Sequence, residues 1–296
     1  MIANLLLLLT AAIWGFGFVA QVLGMNYLEP FAFIGARFVL GALSLLPVIW
    51  YLQRQQTAAG PGIGYLVYAS CVLGTILFAA SSFQQVGLLY TTASNAGFIT
   101  GMYMVFVPIF GLMLGMATGL VTWLGCIVAA TGLFMLGVND RYEMGYGDLL
   151  QLAGAGIWAA HILAIDHFTK YAPGVQLACG QFVVCAALGA IVSMVFAGET
   201  TTWPQLVAAV PTLIYAGIIT VGVAYTLQIV AQAKANPVHE GIILSLEAVF
   251  GAIGGYLMLG ELLNTRQLTG CALMLAGMIL SQLALPGSSS QESQPA

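Results

Sequence analysis

Residues 91–116 read TTASNAGFITGMYMVFVPIFGLMLGM and contain no charged side chain. About 20 apolar residues cross a bilayer as a helix, so this stretch by itself predicts a transmembrane segment. The rest of the 296-residue chain has the same character, with 60% hydrophobic residues, 5% charged residues and a mean hydropathy of +0.99. So few charges can neither cover a soluble surface nor bind a phosphate backbone. The composition therefore excludes an ordinary cytosolic enzyme, a nucleic-acid-binding protein and a disordered protein.

Apolar runs separated by short polar or Gly/Pro breaks continue along the chain and predict an all-α polytopic membrane protein. The runs are apolar throughout and do not alternate, which excludes a transmembrane β-barrel. The first run lacks a basic segment and a cleavage pattern, so it is interpreted as a helix and not as a signal peptide. Ten transmembrane helices are predicted, over residues 3–24, 30–52, 63–86, 91–116, 119–138, 147–169, 174–197, 204–230, 237–259 and 265–285.

The few basic residues indicate an orientation. With a cytoplasmic N-terminus, the inner loops hold Arg54, Lys170 and Lys234, and the outer loops hold Arg141 and Arg266. Positive charge concentrates on the cytoplasmic side of a membrane protein. We therefore expect both termini to be cytoplasmic, in a bacterial-type inner membrane.

No metal or cofactor is expected. The five cysteines lie in apolar stretches, are odd in number and form no CxxC, so neither a disulfide framework nor a zinc site is indicated. A nucleotide-binding G-x4-G-K-[ST] loop does not occur either. Any transport would therefore run on a gradient or by exchange.

The chain repeats itself at an offset near 144 residues. Ala-Ile-Trp14-Gly returns as Gly-Ile-Trp158-Ala, and Gly-Ala-Arg37-Phe returns as Cys-Gly-Gln181-Phe. Leu114-Gly115, Gly125-Cys126 and Gly132 likewise return at one shared offset, as Leu259-Gly260, Gly270-Cys271 and Gly277.

This repetition predicts two copies of one five-helix unit, over residues 1–138 and 147–285, joined by a loop at 139–146 and followed by a disordered tail at 286–296. Because each unit has an odd number of helices, the second copy must lie inverted in the membrane. Inverted repeats are typical of secondary transporters, whose binding site lies between the copies near the midplane.

Four stretches carry a resemblance to a known family. They are Ala12-Ile13-Trp14-Gly15-Phe16, Glu29-Pro30 leading to Arg37, Thr91-Thr92-Ala93-Ser94-Asn95-Ala96-Gly97-Phe98 followed by Pro108, and Leu259-Gly260-Glu261 followed by Gln267 and Gly270. In this order and spacing, the chain resembles the EamA-domain branch of the drug/metabolite transporter superfamily.

The resemblance implies a five-plus-five arrangement of helices, cytoplasmic termini and a small-molecule carrier, commonly an exporter of amino acids or related metabolites. Because other members of this family carry sugars, nucleotides or drugs, the resemblance does not identify the transported substrate. At equivalent positions of the two copies, Gln181 corresponds to Arg37, and Glu261 corresponds to Met116. The two halves are therefore not chemically equivalent.

Ionisable residues inside a membrane are expensive and usually functional. Glu247, near the middle of helix nine, is a candidate to bind a substrate amine or a coupling proton; a structural partnership with Arg37 or with serine hydroxyls is the alternative. Arg37 either binds an anionic group or snorkels in a structural role. His161 is a candidate for cargo or proton binding or a packing residue. Glu240 lies one heptad before Glu247 on roughly the same face; a role at the positive start of helix nine is preferred over a functional one.

Aromatic and amide residues complete the predicted cavity. Trp14 and Trp158 are repeat mates at mid-helix, where they can stack on a substrate or pack between helices. Further predicted wall residues are Phe78, Tyr103 and Tyr225, with Asn95 as a candidate for the cargo carboxylate. Gln21, Gln84, Gln85 and Gln228 are polar neighbours that can orient a substrate, although Gln84 and Gln85 lie near a helix end and are expected in water rather than on the cargo.

Glycine and proline residues suggest where the helices move. Gly97, Gly101 and Gly251 belong to small-xxx-small faces that allow close packing, and Pro108 predicts a kink. Static packing is the alternative for each of them. Because Pro108 has no counterpart in the second copy, the kink is expected in the first copy alone.

The sequence thus predicts a carrier, in contact with the lipid bilayer, a small-molecule substrate and a coupling proton, as a monomer or a homodimer. Helices 1–4 and 6–9 should line the cavity, with helices 5 and 10 outside. The rival classes are a membrane enzyme and a channel. His161 and Asp166 form a poor catalytic pair, because their spacing is off one helical face.

Overall fold

The computed structural model describes residues 2–55, 62–116, 118–137, 145–232, 237–260, 262 and 264–282. Glu261, the tail at 286–296 and most of the loop at 139–146 lie outside this part. The described residues form helices and no strand. The helices are α1 (Ile2–Gly24), α2 (Pro30–Gln55), α3 (Ile63–Gly87), α4 (Ala93–Met113), α5 (Leu120–Gly137), α6 (Tyr146–Phe168), α7 (Gly174–Ala197), α8 (Val210–Gln232), α9 (Pro237–Leu259) and α10 (Thr265–Gln282), with a short helix at Trp203–Ala208 before α8.

The all-helical membrane fold predicted from the sequence is confirmed. Eight helices of the described chain are long and apolar enough to cross a membrane, namely α1–α4 and α6–α9. α5 and α10 occupy the predicted fifth and tenth positions, but their apolar stretches are shorter, at Leu120–Met135 and Leu268–Gly277. Ten crossings therefore stay a prediction.

Three glycines end helices in a left-handed conformation. Gly115, Gly198 and Gly260 follow α4, α7 and α9 with φ of 79°, 64° and 70°. Only glycine adopts this conformation without steric penalty, which makes it a common residue just past a helix end. Gly115 and Gly260 are repeat mates, so the repeated Leu-Gly pair in the sequence marks the same helix end in both copies.

α4 and α9 are each interrupted near the middle, at equivalent positions. α4 consists of Ala93–Thr100 and Tyr103–Met113, and α9 begins with Pro237–Leu244 and resumes at Glu247. Tight i to i+3 hydrogen bonds bridge both breaks, from Met102 N to Ile99 O and from Leu246 N to Ile243 O. These breaks lie before Pro108 and need no proline, so the proline kink expected in the first copy alone stays a prediction.

Pro108 lies inside the second half of α4 without ending it. A proline cannot donate to the carbonyl four residues earlier, which here belongs to Met104. The Cys126 thiol of α5 points at that carbonyl, with Sγ 3.9 Å from the oxygen. The backbone group that Pro108 releases therefore contacts a neighbouring helix.

α8 departs from α-helical geometry where α3, its repeat mate, does not. Ile214–Tyr225 is wound as a π-helix, with hydrogen bonds five residues apart, whereas α3 is α-helical throughout. Such stretches are rare and frequently occur at functional sites. Side chains of α1 bond its backbone: Thr10 Oγ1 donates to Ala224 O at 3.3 Å, and Trp14 Nε1 to Thr220 O at 3.2 Å.

The two copies interdigitate instead of forming separate bodies. α1 packs on α8 and α9, and its mate α6 packs on α3 and α4. α2 packs on α8, as α7 packs on α3, and α2 contacts α7 directly. The principal partners of every helix thus belong to the other copy, which places the centre of the molecule between the copies.

α5 and α10 form a pair outside this centre. Their backbones are so close that a Cβ on Gly132 would lie 2.5 Å from Gly270 O, and a Cβ on Gly277 would lie 2.7 Å from Gly125 O. Apolar side chains on their other faces are exposed, such as Ile127 and Ile279. These faces suit contact with lipid, since burial inside the protein is not required there.

Candidate functional site

A small cavity lies at the centre, between the two copies. Its volume is about 40 Å³, room for about three water molecules at 10–15 Å³ each. Thr100, Tyr103 and Glu247 border it, so it sits where α4 and α9 are broken. The other lining residues are Trp14, Phe18, Gln21, Arg37, Gln84, Trp158, Ile162, Thr220, Val221, Tyr225 and Gln228. In this conformation the site is narrow.

Three aromatic rings form one wall. The Tyr225 ring lies between the two tryptophans, with its centroid 4.7 Å from that of Trp14 and 6.1 Å from that of Trp158. The second pair is stacked, at an interplanar angle of 29°. Such contacts hold flat surfaces toward the cavity.

The two tryptophans differ in their hydrogen bonds, although they are repeat mates. The indole of Trp14 donates to the Thr220 carbonyl in the π-helical part of α8. The indole N–H of Trp158 is buried and has no hydrogen-bond partner. Buried donors are nearly always paired, so an unpaired donor on a cavity wall is available to a bound molecule.

A buried base and a buried acid face the same cavity. Arg37 and Glu247 are each 3% exposed. The Arg37 guanidinium lies over the Phe38 ring, with Cζ 5.1 Å from its centroid. Within the described chain the one ion pair is Lys170–Asp166, so Arg37 and Glu247 do not pair directly. The alternative that Glu247 serves as a structural partner of Arg37 therefore receives no support.

The surroundings of Glu247 are polar but sparse. The Tyr103 hydroxyl lies beside the Glu247 carboxyl, yet neither this hydroxyl nor Glu247 Oε1 makes a hydrogen bond of good geometry. Ser245, two residues before Glu247 in the chain, donates to the Ile242 carbonyl at 2.7 Å. An acid without a full set of partners is suited to receive a hydrogen bond or a proton from a ligand.

An amide network closes one end of the cavity. Thr100 Oγ1 donates to Gln151 Oε1 at 3.2 Å, and Gln151 Nε2 donates to the Gln84 carbonyl at 2.8 Å. Gln84 and Gln85 are 7% and 0% exposed. The expectation that these two glutamines lie in water is wrong, because α3 continues to Gly87 and is covered by α6 at this level.

The structure brings six of the nine predicted substrate-contact residues to the cavity, namely Trp14, Arg37, Tyr103, Trp158, Tyr225 and Glu247. The other three lie outside its lining. Phe78 packs against the Phe31 ring, with centroids 6.3 Å apart. Asn95 lies half-buried in the first turn of α4, where its backbone N–H donates to Thr92 Oγ1. Contact with a cargo stays a prediction for all nine.

His161 lies behind the cavity wall. Its side chain is fully buried, with Nε2 2.9 Å from Gln181 Oε1, and its ring packs edge-on against Trp158. Gln181 is the residue that replaces Arg37 in the second copy. His161 can therefore position Trp158, while its role in proton binding stays untested.

The proposed hinge residues lie at close helix contacts. A Cβ on Gly97 would meet the Phe18 ring at 3.4 Å, and a Cβ on Gly251 would meet the Gly15 carbonyl at 3.6 Å. Gly101 is part of the break in α4, whereas Pro108 is not. Whether these positions move stays a prediction.

Sequence reasoning missed one acid. Glu240 is 0% exposed and accepts a hydrogen bond from Gln228 Nε2 at 2.9 Å. A helix-start role was preferred for it from the sequence, and it does lie in the first turn of α9. Its position one heptad before Glu247 is a sequence signal for a second inward-facing carboxyl.

A second, more open cavity of about 600 Å³ lies at the end of the bundle where α1 and α3 end and α2 begins. Glu199, from the segment after α7, caps α2 there: its carboxylate accepts from the backbone N–H groups of Phe31 at 3.1 Å and Ala32 at 2.7 Å. A residue of the second copy thus caps the N-terminus of a helix of the first copy at the opening of this cavity.

Comparisons with known proteins agree with this architecture. The sequence model of the EamA-like transporter family matches residues 1–138 and 145–283. Two proteins of Archaeoglobus fulgidus, each described as an uncharacterized transporter, are 30% and 27% identical to the chain; the matches cover 95% and 94% of this chain and 86% and 96% of theirs. A solved crystal structure superposes with a TM-score of 0.76 over 95% of this chain and 96% of its own, at 19% identity.

Proposed function

The chain belongs to the EamA-like transporter family, and on that premise we propose that it is a secondary transporter that exports small metabolites, with amino acids and related amphipathic compounds as the first class of cargo. Membership makes it a multi-pass membrane transporter with a small-molecule substrate. Cargo, direction and mechanism are the proposed part.

The single observation that carries the proposal is the central cavity with one buried acid and one buried base. Arg37 comes from the first copy and Glu247 from the second, and both face the same space without pairing. A zwitterion satisfies both at once, with its carboxylate on the guanidinium and its amine on the carboxylate. The aromatic wall supports an amphipathic cargo.

Alternating access between the copies is the proposed mechanism. The cavity is narrow and lies between interdigitated halves, so a relative movement of the halves can open it toward one side at a time. The mid-helix breaks in α4 and α9 border the cavity and permit such bending. A proton gradient is the proposed energy source, with Glu247 or His161 as the coupling group. Both termini are proposed to face the cytoplasm from a bacterial-type inner membrane, and the protein to act as a monomer or a homodimer.

Counterflow in proteoliposomes tests the proposal. Vesicles are preloaded with a panel of unlabelled amino acids, and uptake of labelled ones is followed for wild type and Glu247→Gln. We expect exchange by wild type and its loss in the variant. Glu29→Gln is the matched control, because Glu29 is exposed and lies outside the central cavity.

The possible results distinguish between different functional interpretations. Exchange that survives Glu247→Gln would keep the carrier and reduce Glu247 to a structural residue. Folded wild type that exchanges no amino acid would remove this cargo class, and sugars, nucleosides and cationic drugs would be tested next. Flux without saturation would indicate a channel.

A further inference from the structure

Glu240 is a carboxyl group that the cargo cavity does not use. It does not line the cavity, it is 0% exposed, and its Oε2 atom has no hydrogen-bond partner. The single hydrogen bond is the one that Oε1 accepts from Gln228. Burying an ionised carboxylate with so few partners is prohibitive, so the group must hold a proton in this conformation.

No described positive charge offsets Glu240. Its half of α9 packs against α1, the second half of α4, α5, α6 and α10. α1 contains no titratable residue, and α5 and α10 offer the thiols Cys126 and Cys271, with Arg266 at the far end of the bundle. α4 contributes Tyr103 and α6 contributes Asp166 to its surroundings. The histidines of these elements have other partners: His161 lies 2.9 Å from Gln181 Oε1, His239 lies 3.3 Å from Thr122 Oγ1, and His167 packs on Phe168 and Tyr171. The described cation at this end, Lys170, is paired with Asp166.

Asp166 is a partly exposed acid at the end of the bundle nearest to Glu240. It lies near the end of α6, its side chain is 19% exposed, and it pairs with Lys170, which is 59% exposed, at 2.7 Å. Glu240 lies in the first turn of α9, near the same end of the bundle. The distance between Glu240 and Glu247 along the helix is about 10 Å at 1.5 Å per residue. Glu240 therefore stands between the cavity and one aqueous side.

Gln228 connects Glu240 with the cavity. Its side chain is 1% exposed, lines the cavity and donates its Nε2–H to Glu240, while its Oε1 atom is unpartnered. A cargo that bonds the Gln228 amide competes with Glu240 for it or reorients it. Because the Gln228 bond favours the carboxylate, such a change alters the proton affinity of Glu240.

We propose that Glu240 is a second proton-binding site of the carrier, separate from the cargo cavity and coupled to it through the Gln228 side chain. The inference rests on the proposed transport function and adds a second site at which a proton is held during the cycle. Gln228 is a positioning residue in this scheme.

The proton balance is simple. When the end of the bundle near Asp166 opens to water, the Glu240 carboxylic acid releases its Oε2 proton to a water molecule and becomes a carboxylate that Gln228 still bonds. Uptake of a proton from water reverses the step. One proton is bound or released per cycle, and no other bond changes.

Two transport assays separate this role from cargo binding. Counterflow exchange needs the cavity but no net proton movement, whereas accumulation driven by a pH gradient needs both. Glu240→Gln keeps the size and a hydrogen-bond acceptor but cannot release a proton. With whichever amino acid wild type exchanges, we expect this variant to retain exchange within about twofold and to lose gradient-driven accumulation; Glu240→Asp should restore part of it.

Retained exchange also shows that the variant is folded. Accumulation by Glu240→Gln at the wild-type level would overturn the inference, as would wild-type exchange that a pH gradient never drives. Loss of exchange and accumulation together in Glu240→Gln, with both retained in Glu240→Asp, would support an acid at this position but place it in cargo handling, and would also overturn it.

A labelling experiment tests the site without any cargo. Dicyclohexylcarbodiimide partitions into membranes and forms adducts with protonated carboxyl groups in apolar surroundings. Peptide mass spectrometry of wild-type protein in liposomes should find the adduct on Glu240, decreasing as the pH rises, and Gln228→Leu should shift this pH profile. A Glu240 peptide that stays unmodified at every pH would overturn the inference. Failure of every cargo to exchange, with Glu240 still labelled, would count against the proposed function alone.

Discussion

At the scale of single residues, the site is defined by buried polar atoms that lack partners. Trp158 Nε1, Arg37 Nε and Glu247 Oε1 all face or border the central cavity without a hydrogen bond. Buried polar atoms without a partner also occur elsewhere in the described bundle, for example Ser81 Oγ and Glu240 Oε2. Those of the central cavity differ because they border a space, so a ligand there can supply the missing partners.

The two repeat-mate tryptophans provide the sharpest residue-scale test. Trp14→Phe removes the bond from the indole to the Thr220 carbonyl, so the free energy of unfolding should fall by about 0.5–1.5 kcal/mol. Trp158→Phe removes a donor that bonds nothing in the protein, so stability should hold. Thermal unfolding in detergent measures both.

Transport should give the opposite ranking of the same two variants. Trp158→Phe should raise the KM of exchange about two- to tenfold, the worth of one hydrogen bond, if its N–H bonds the cargo. Each variant loses the same atoms and is the control for the other. Equal loss of stability in both would contradict the distinction drawn between the two indoles.

Much of the cavity could be predicted at this scale, for a physical reason. An ionisable residue in hydrocarbon needs a partner or a polar cavity, so Arg37 and Glu247 point inward almost by necessity. Amides carry no such constraint, and in helices that are apolar all round the inward face cannot be read from periodicity. Asn95 was therefore placed in the cavity and Gln84 in water, although the structure puts Asn95 outside the lining and Gln84 on it.

At the scale of helices, α1 crosses α9 without a side chain between their backbones. A Cβ on Gly15 would collide with Phe250 and lie 2.6 Å from Glu247 O and Gly251 N. Gly15→Ala should therefore destabilise the protein by about 1–3 kcal/mol and reduce exchange, because Glu247 would shift.

Gly156→Ala is the matched control for Gly15→Ala. Its added Cβ would meet nothing within 4 Å, and alanine is the better helix former, so stability should rise slightly. The midpoints of thermal unfolding compare the two variants. A midpoint for Gly15→Ala at or above that of wild type would contradict the close contact of α1 and α9.

The cap that Glu199 places on α2 gives a second element-scale prediction. Glu199→Ala leaves the N–H groups of Phe31 and Ala32 without their acceptor, which should lower the free energy of unfolding by about 1 kcal/mol. Glu29→Ala removes an exposed carboxyl from the same open cavity and should have little effect. Equal unfolding midpoints for the two variants would show that the cap contributes nothing.

With one exception, the helix ends followed from the sequence to within about three residues, because glycines and polar breaks punctuate it clearly. The exception is α8, which begins at Val210, six residues later than predicted, after the short helix Trp203–Ala208. The breaks in α4 and α9 did not follow from the sequence. Pro108 was the visible helix breaker, but the interruptions occur where tight turns at residues 101–102 and 245–246 replace regular hydrogen bonds. The π-helical winding of Ile214–Tyr225 has no composition signal and depends on side chains of α1 that bond its backbone.

At the scale of the whole molecule, the repeat makes a prediction about sidedness. If α5 crosses the membrane, five crossings precede residue 139, and the loop at 139–146 lies opposite both termini. A phosphatase reporter that is active only outside the cytoplasm should be active when fused after Asp140 and inactive when fused after Ala296. Activity at neither position would mean that the first unit crosses an even number of times.

The sequence offset predicted two similar halves but not how they associate. Similarity between two stretches does not say whether they pack side by side or between each other. In the structure α1 pairs with α9 and α6 with α4, so each half completes the other. That arrangement is decided by which faces fit in three dimensions, as at Gly15, and not by any single motif.

The contact between α5 and α10 bears on the origin of the chain. Gly132 approaches Gly270 O and Met274 N, and its mate Gly277 approaches the mates of those residues, Gly125 O and Ala129 N. Reciprocal contacts of this kind are what two identical subunits make around a two-fold axis. A short ancestral polypeptide that inserted into the membrane in both orientations would form this interface by pairing with a second copy of itself. Gene duplication and fusion would then have fixed the two orientations in one chain.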